Sequence, residues 1–149
     1  MRDLDEAIKY DPRRAEAWNQ RGLLHQKNND LPKAVDDFTR AIKLRPNYAA
    51  ALFNRALVFA SRKDYETALA DLDASLHAAP GLALVWFTRG VAHARMKNYE
   101  KAVHDFTEVI RREPKMAAAY AQRALAYKAL KDFRRQKEDE DRARALTRK

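Results

Sequence analysis

Residues 86–90 read Trp-Phe-Thr-Arg-Gly (WFTRG). In a helix, Trp86, Arg89, Gly90 and, one turn on, His93 fall on one stripe, because residues three, four and seven apart share a face. A stripe with a Trp and a Gly packs against a neighbour, so an arginine inside it needs a partner. The same stripe recurs at a constant spacing. Trp18, Leu52, Trp86 and Tyr120 lie 34 residues apart, as do Arg21, Arg55, Arg89 and Arg123, and the small residues Gly22, Ala56, Gly90 and Ala124. Pro12, Pro46, Pro80 and Pro114 keep the interval, and so do Leu31, Tyr65, Tyr99 and Phe133. Ala34, Ala68 and Ala102 continue it, each followed four residues later by Phe38, Leu72 or Phe106. A fixed period of this length marks stacked supersecondary units.

With its bulky residue, small residue, aromatic, alanines and proline at set offsets, the chain resembles the tetratricopeptide repeat (TPR) family over essentially its whole length. The resemblance implies an all-α fold, a right-handed α-solenoid of antiparallel helix pairs, A then B. The expected organisation is one array over residues 1–149. A half-repeat helix at 1–14 precedes repeats at 15–48, 49–82 and 83–116, and a fourth at 117–149 ends in a polar capping helix. Asp30, Asp64, Asn98 and Asp132 stand where helix B begins, as side-chain acceptors for its orphan N–H groups. Pro46, Pro80 and Pro114 end the B helices, because proline disfavours helical geometry in its predecessor. In the last helix Gln136 and Glu140 replace the alanine and the Phe or Leu of the other repeats, which suits a polar terminal face.

Each arginine of the stripe has an aspartate 16 residues later: Arg21 with Asp37, Arg55 with Asp71, Arg89 with Asp105, Arg123 with Asp139. Both charges border the seam between helices A and B. The expectation is a structural ladder of Arg–Asp pairs, since stranding one charge of a partly buried pair is costly.

Composition bounds the rest. The chain of 149 residues has no cysteine, three glycines and five prolines, which favours helix and removes thiolate and disulfide chemistry. No apolar run approaches the length of a membrane span, and the opening residues do not read as a signal peptide. A soluble, cytoplasmic location is the default, although the half-repeat start suits a piece of a longer parent that could carry a leader. The net charge of +9 is uneven: repeats 1 and 2 carry +2 and −1, whereas residues 83–116 carry +3 and 117–149 carry +5.

No catalytic constellation converges. His25 and His93 take the place of Phe59 and Tyr127 and read as packed rings. His77 and His104 have no metal-ligand spacing, and Ser61 and Ser75 lack a nearby His and acid. The expectation is a chain that is not an enzyme and has neither cofactor nor metal. The resemblance implies that the concave surface is lined by the A helices, here through Asn19, Gln20, Leu23, Lys27, Phe53, Asn54, Leu57, Leu84, Phe87, Thr88, Val91, Arg95, Gln122, Leu125 and Lys128. An apolar patch beside amides and cations suits a peptide or protein segment with apolar and acidic residues. Chaperone C-terminal tails are not expected: of the residues that clamp them in one branch of the family only Asn54 matches, while Asn19, Leu23, Leu84 and Thr88 depart from the pattern.

Two other functions compete with groove binding. One is binding of nucleic acid or an acidic partner by the basic C-terminal half, with Arg134, Arg135, Lys137, Arg142, Arg144, Arg148 and Lys149. Interrupting acids and the lack of stacking aromatics there weigh against nucleic acid. The other is an architectural or self-assembling role, with a homodimer contact through the half-repeat, whose Leu4 and Ile8 would lack cover on one side.

Overall fold

The computed structural model describes residues 2–148; Lys149, the last of the basic cluster, lies outside them. Among these residues there are nine helices and no strand, an all-α helical repeat fold. They are α1 (Arg2–Tyr10), α2 (Ala15–Lys27), α3 (Leu31–Leu44), α4 (Ala49–Ser61), α5 (Tyr65–Ala78), α6 (Ala83–Arg95), α7 (Tyr99–Arg112), α8 (Ala117–Ala129) and α9 (Phe133–Thr147). The chain divides into two compact units, one up to Pro80 and one from Gly81. In the first, α2 packs on α3, α3 on α4 and α4 on α5, with α1 against α2; in the second, α6 packs on α7, α7 on α8 and α8 on α9.

Every A helix stops in the same way. Asn29, Lys63, Lys97 and Lys131 adopt left-handed backbone with φ of 59, 63, 63 and 61°. The next N–H reaches back five residues, Asp30 to the His25 carbonyl at 2.8 Å and Asp132 to that of Tyr127 at 2.9 Å. This is the Schellman arrangement, which satisfies the orphan carbonyls and reverses the chain in very few residues. The following helix is then capped by Asp30, Asp64 and Asp132, whose carboxylates accept the N–H of Lys33, Thr67 and Arg135. Asn98 occupies the same place but makes no such bond.

The core keeps the sequence period: Ala34, Ala68 and Ala102, and with them Phe38, Leu72 and Phe106, are all fully buried. In the first unit Ala34, Phe38 and Val58 form a cluster joined by Leu23, Leu31 and Val35. In the second, Ala102, Phe106 and Ala126 form one joined by Val91, Tyr99 and Val103, with Phe87 and Ala94 as well. Phe38 and Phe106 are fully buried against helix A at a glycine. A Cβ on Gly22 would sit 2.6 Å from the Phe38 ring, and one on Gly90 2.8 Å from that of Phe106. In α4 and α8 the corresponding residues are Ala56 and Ala124, and the B-helix residues in register are Leu72 and Glu140. Glycine therefore goes with phenylalanine, and alanine with a slimmer partner.

Candidate functional site

The arginine of the stripe is held on several sides. Arg21 donates to both oxygens of Asp37 at 2.8 Å, Arg55 to those of Asp71 at 2.8 and 2.7 Å, Arg89 to those of Asp105 at 2.9 and 2.7 Å, and Arg123 to those of Asp139 at 2.8 Å. All four pairs lie within one helix pair, and all four aspartates are buried. Planar fork-to-fork pairing of this kind fixes geometry as well as charge. A third guanidinium nitrogen reaches the preceding B helix: Arg21 donates to Asp5 at 2.8 Å, Arg55 to Thr39 and Arg123 to Thr107 at 2.9 Å. Asp5, Thr39 and Thr107 share one register of the 34-residue period, a signal present in the sequence but visible only once the helices are stacked. The carboxylates hold Arg21 and Arg123 protonated more firmly than usual, chiefly through Asp37 and Asp139.

Rings complete the cage. The Arg89 guanidinium carbon lies 4.7 Å from the centre of Trp86, with Arg112 at 4.9 Å from the same ring, and Arg21 lies 4.9 Å from Trp18. Arg112 is fixed by Glu108, whose carboxyl is held below its ordinary range first by Arg112 and then by Arg111. Trp18 and Tyr120 donate to the carbonyls of Pro12 and Pro114 at 3.0 and 3.2 Å, tying each A helix to the proline before it. His25 is half-buried with Nε2 3.8 Å from Asp37, and His104 stands beside Trp86 with its ring centre 6.0 Å away. These arginines serve the helix seam.

The A-helix faces are what remains. In the first unit Leu23, Phe53 and Leu57 are half-buried, and Gln20 and Lys27 are exposed. Asn19 departs from the groove expectation: it is 3% exposed, and its Oδ1 accepts from Asn54 Nδ2 at 3.0 Å. The pair bridges α2 and α4, so Asn19 faces its neighbour rather than solvent.

In the second unit Leu84 and Leu125 are 55% and 58% exposed. Phe87 and Val91 are half-buried because they lean on Phe106, with the Phe87 and Phe106 ring centres 5.6 Å apart. Thr88 spends its hydroxyl proton on the Leu84 carbonyl at 2.9 Å. Arg95 and Lys128 are exposed, Gln122 is half-buried, and Val91, Ala94, Arg95, Tyr99, Gln122, Leu125 and Ala126 line one depression between α6 and α8.

Ile8 is 7% exposed and Leu4 half-buried, because α1 already packs on α2. The uncovered side expected of the half-repeat is correspondingly smaller. On α9, Arg134 pairs with Glu138, Arg135 with Asp132, and Arg144 with Glu140 and Asp141, so much of its basic charge is neutralised locally. Among the described residues no helix is long and apolar enough to cross a membrane, and no group of acidic and histidine side chains could hold a metal.

The tetratricopeptide repeat profile matches residues 2–38 and 19–83, and a second tetratricopeptide profile matches 83–116. Among solved structures the chain is similar to a MamA RS-1 double mutant, at TM-score 0.92 and 24% identity over 99% of this chain and 83% of that one. It is similar also to MamA from Desulfovibrio magneticus RS-1, at 0.91 and 24% over 99% and 83%, and to another MamA crystal structure, at 0.91 and 17% over 97% and 85%. At these identities the likeness is one of fold. No curated protein matches the chain in sequence. Two profiles that tile residues 2–116, on helix pairs that recur every 34 residues with the same Arg–Asp pair in each, place the chain in the tetratricopeptide repeat family, a class of protein–protein interaction scaffolds.

Proposed function

We propose that the protein is a non-catalytic scaffold that receives a peptide or protein segment on the face lined by its A helices, its helix pairs acting as one array closed by the polar α9. The observation that supports this most is the pairing of exposed Leu84 and Leu125 with half-buried Phe87 and Val91. Large apolar side chains left in water beside polar ones mark an interaction surface. In the same unit Gln122 offers a carboxamide, which can both donate to and accept from a peptide backbone. Phe53, Leu57 and Leu23 supply the equivalent apolar surface in the first unit.

Peptide-phage selection on the wild type, followed by binding assays on a Leu84→Ser, Leu125→Ser variant, tests the reading. Both residues are exposed, so the variant should keep its stability within about 1 kcal/mol while losing the selected peptides. Equal binding by the two proteins would remove the A-helix face as the site. Binding of nucleic acid or of an acidic surface by α9 is less favoured, because Arg134, Arg135 and Arg144 already have local carboxylate partners. It would show instead as affinity that falls steeply with salt and is indifferent to Leu84 and Leu125. Self-association through α1 would show as a mass that rises with concentration and falls on Tyr10→Ser, since Tyr10 is 94% exposed.

A further inference from the structure

We infer that the depression between α6 and α8 recognises an acidic peptide, seating an apolar side chain on Val91 and Leu125 and holding the neighbouring carboxylate with Arg95. This rests on the proposed peptide binding by the A-helix face and adds the chemistry of the ligand.

The depression is a cavity of roughly 330 Å³ with an apolar floor of Val91, Ala94, Leu125 and Ala126. At its rim stand Arg95 and Gln122, neither of them engaged by another side chain among the described residues. Arg123, on the same α8, has both oxygens of Asp139, whereas Arg95 is exposed and has no carboxylate in ion-pair reach among the described residues. The last turn of α6 favours a cation through the helix dipole, which accounts for a positive residue at this position but leaves its guanidinium available.

Gln122 is the second open group. Its counterpart 68 residues earlier, Asn54, is engaged by Asn19. The residue corresponding to Asn19 is Phe87, which cannot hydrogen-bond, and Gln122 makes no side-chain hydrogen bond among the described residues. A half-buried carboxamide with unused donors and acceptor beside an unpaired guanidinium is suited to a peptide unit followed by a carboxylate.

Charge selects the sign of the ligand. Residues 81–149 hold 17 basic and 9 acidic side chains, a net +8, against 13 and 12 in residues 1–80, a net +1. Exposed Lys128 adds to the positive charge carried by α8. An acidic ligand is drawn to this unit by its field and oriented by Arg95.

The test is an NMR titration of the full chain at physiological ionic strength with three blocked pentapeptides: Glu-Leu-Glu-Phe-Glu, its amide isostere Gln-Leu-Gln-Phe-Gln, and Glu-Gly-Glu-Gly-Glu. The first should shift the amide signals of Arg95, Gln122 and Leu125 and bind roughly tenfold more tightly than either of the others. Arg95→Gln should bring the acidic peptide down to the affinity of its isostere and leave the isostere unchanged. Leu125→Ser should weaken both apolar peptides alike.

If the isostere binds as tightly as the acidic peptide at these residues, the A-helix reading stands and the acidic preference is wrong. If the glycine peptide binds as tightly, general attraction to a cationic unit is enough and the depression plays no part. If none of the three shifts α6 or α8, the inference fails; whether the A-helix face binds peptides at all is then decided by the phage selection.

Discussion

Arg89 and Asp105 meet through two parallel hydrogen bonds of 2.9 and 2.7 Å, with the aspartate side chain 2% exposed and the Trp86 ring 4.7 Å from the guanidinium carbon. Removing the carboxylate leaves a guanidinium in a site with little access to water. Asp105→Ala should therefore cost about 3 kcal/mol, the lower end for a buried pair because Arg89 keeps 17% exposure. The double variant Arg89→Met, Asp105→Leu should cost much less than the single. Urea denaturation of the three proteins measures this, and a small loss in the single variant would show that water already shares the site.

Gly90 and Phe106 form a matched pair. Gly90→Ala puts a methyl 2.8 Å from the ring and should destabilise by roughly 1 to 3 kcal/mol. Adding Phe106→Leu, which copies the Ala56 and Leu72 combination, should recover part of the loss. Thermal melting decides: if the second change only adds to the damage, the contact is not what sets the choice of glycine.

The three left-handed lysines are a reserve of stability. A left-handed residue with a Cβ costs roughly 1 to 2 kcal/mol, of which glycine's greater unfolded entropy returns about half. Lys97→Gly should thus gain about 0.5 to 1 kcal/mol in chemical denaturation, while an alanine there should gain nothing.

Two of the B-helix caps, Asp30 and Asp132, carry a pH dependence. Asp132 is held below its ordinary carboxyl range first by the backbone N–H of Arg135 and then by the Arg135 side chain; Asp30 is held down by Lys33. A depressed folded value means that the stabilisation is complete above the unfolded value of about 3.9 and is lost as pH falls through the lower folded one. Carbon-13 shifts at residues 133–136 should therefore move toward coil below about pH 4, and Asp132→Asn should flatten that change. Asn98→Asp should give α7 the same acid-sensitive start.

The fold was legible because a period of 34 survives any substitution that keeps size and polarity. The WFTRG stretch and its copies sufficed to place the helices and the family. The groove was legible only in part. Helix position tells which residues share a face, but not how deeply a neighbour's ring draws them in. Phe87 sinks toward Phe106, and Asn19 is covered by Asn54, a residue 35 positions away. Nor did the spacing reveal the third bond of Arg21, Arg55 and Arg123, because Asp5, Thr39 and Thr107 come near only when one helix pair rests on the last.

The match of glycine with phenylalanine, and of alanine with leucine or glutamate, bears on how this chain can be re-engineered. Its A helices look interchangeable on paper, yet exchanging α4 with α6 would drive a methyl into one ring and open a void over Leu72. Grafts should travel as whole A and B couples, cut in the connections that precede Ala15, Ala49, Ala83 and Ala117. A library built on single-helix swaps would be dominated by chains that melt early.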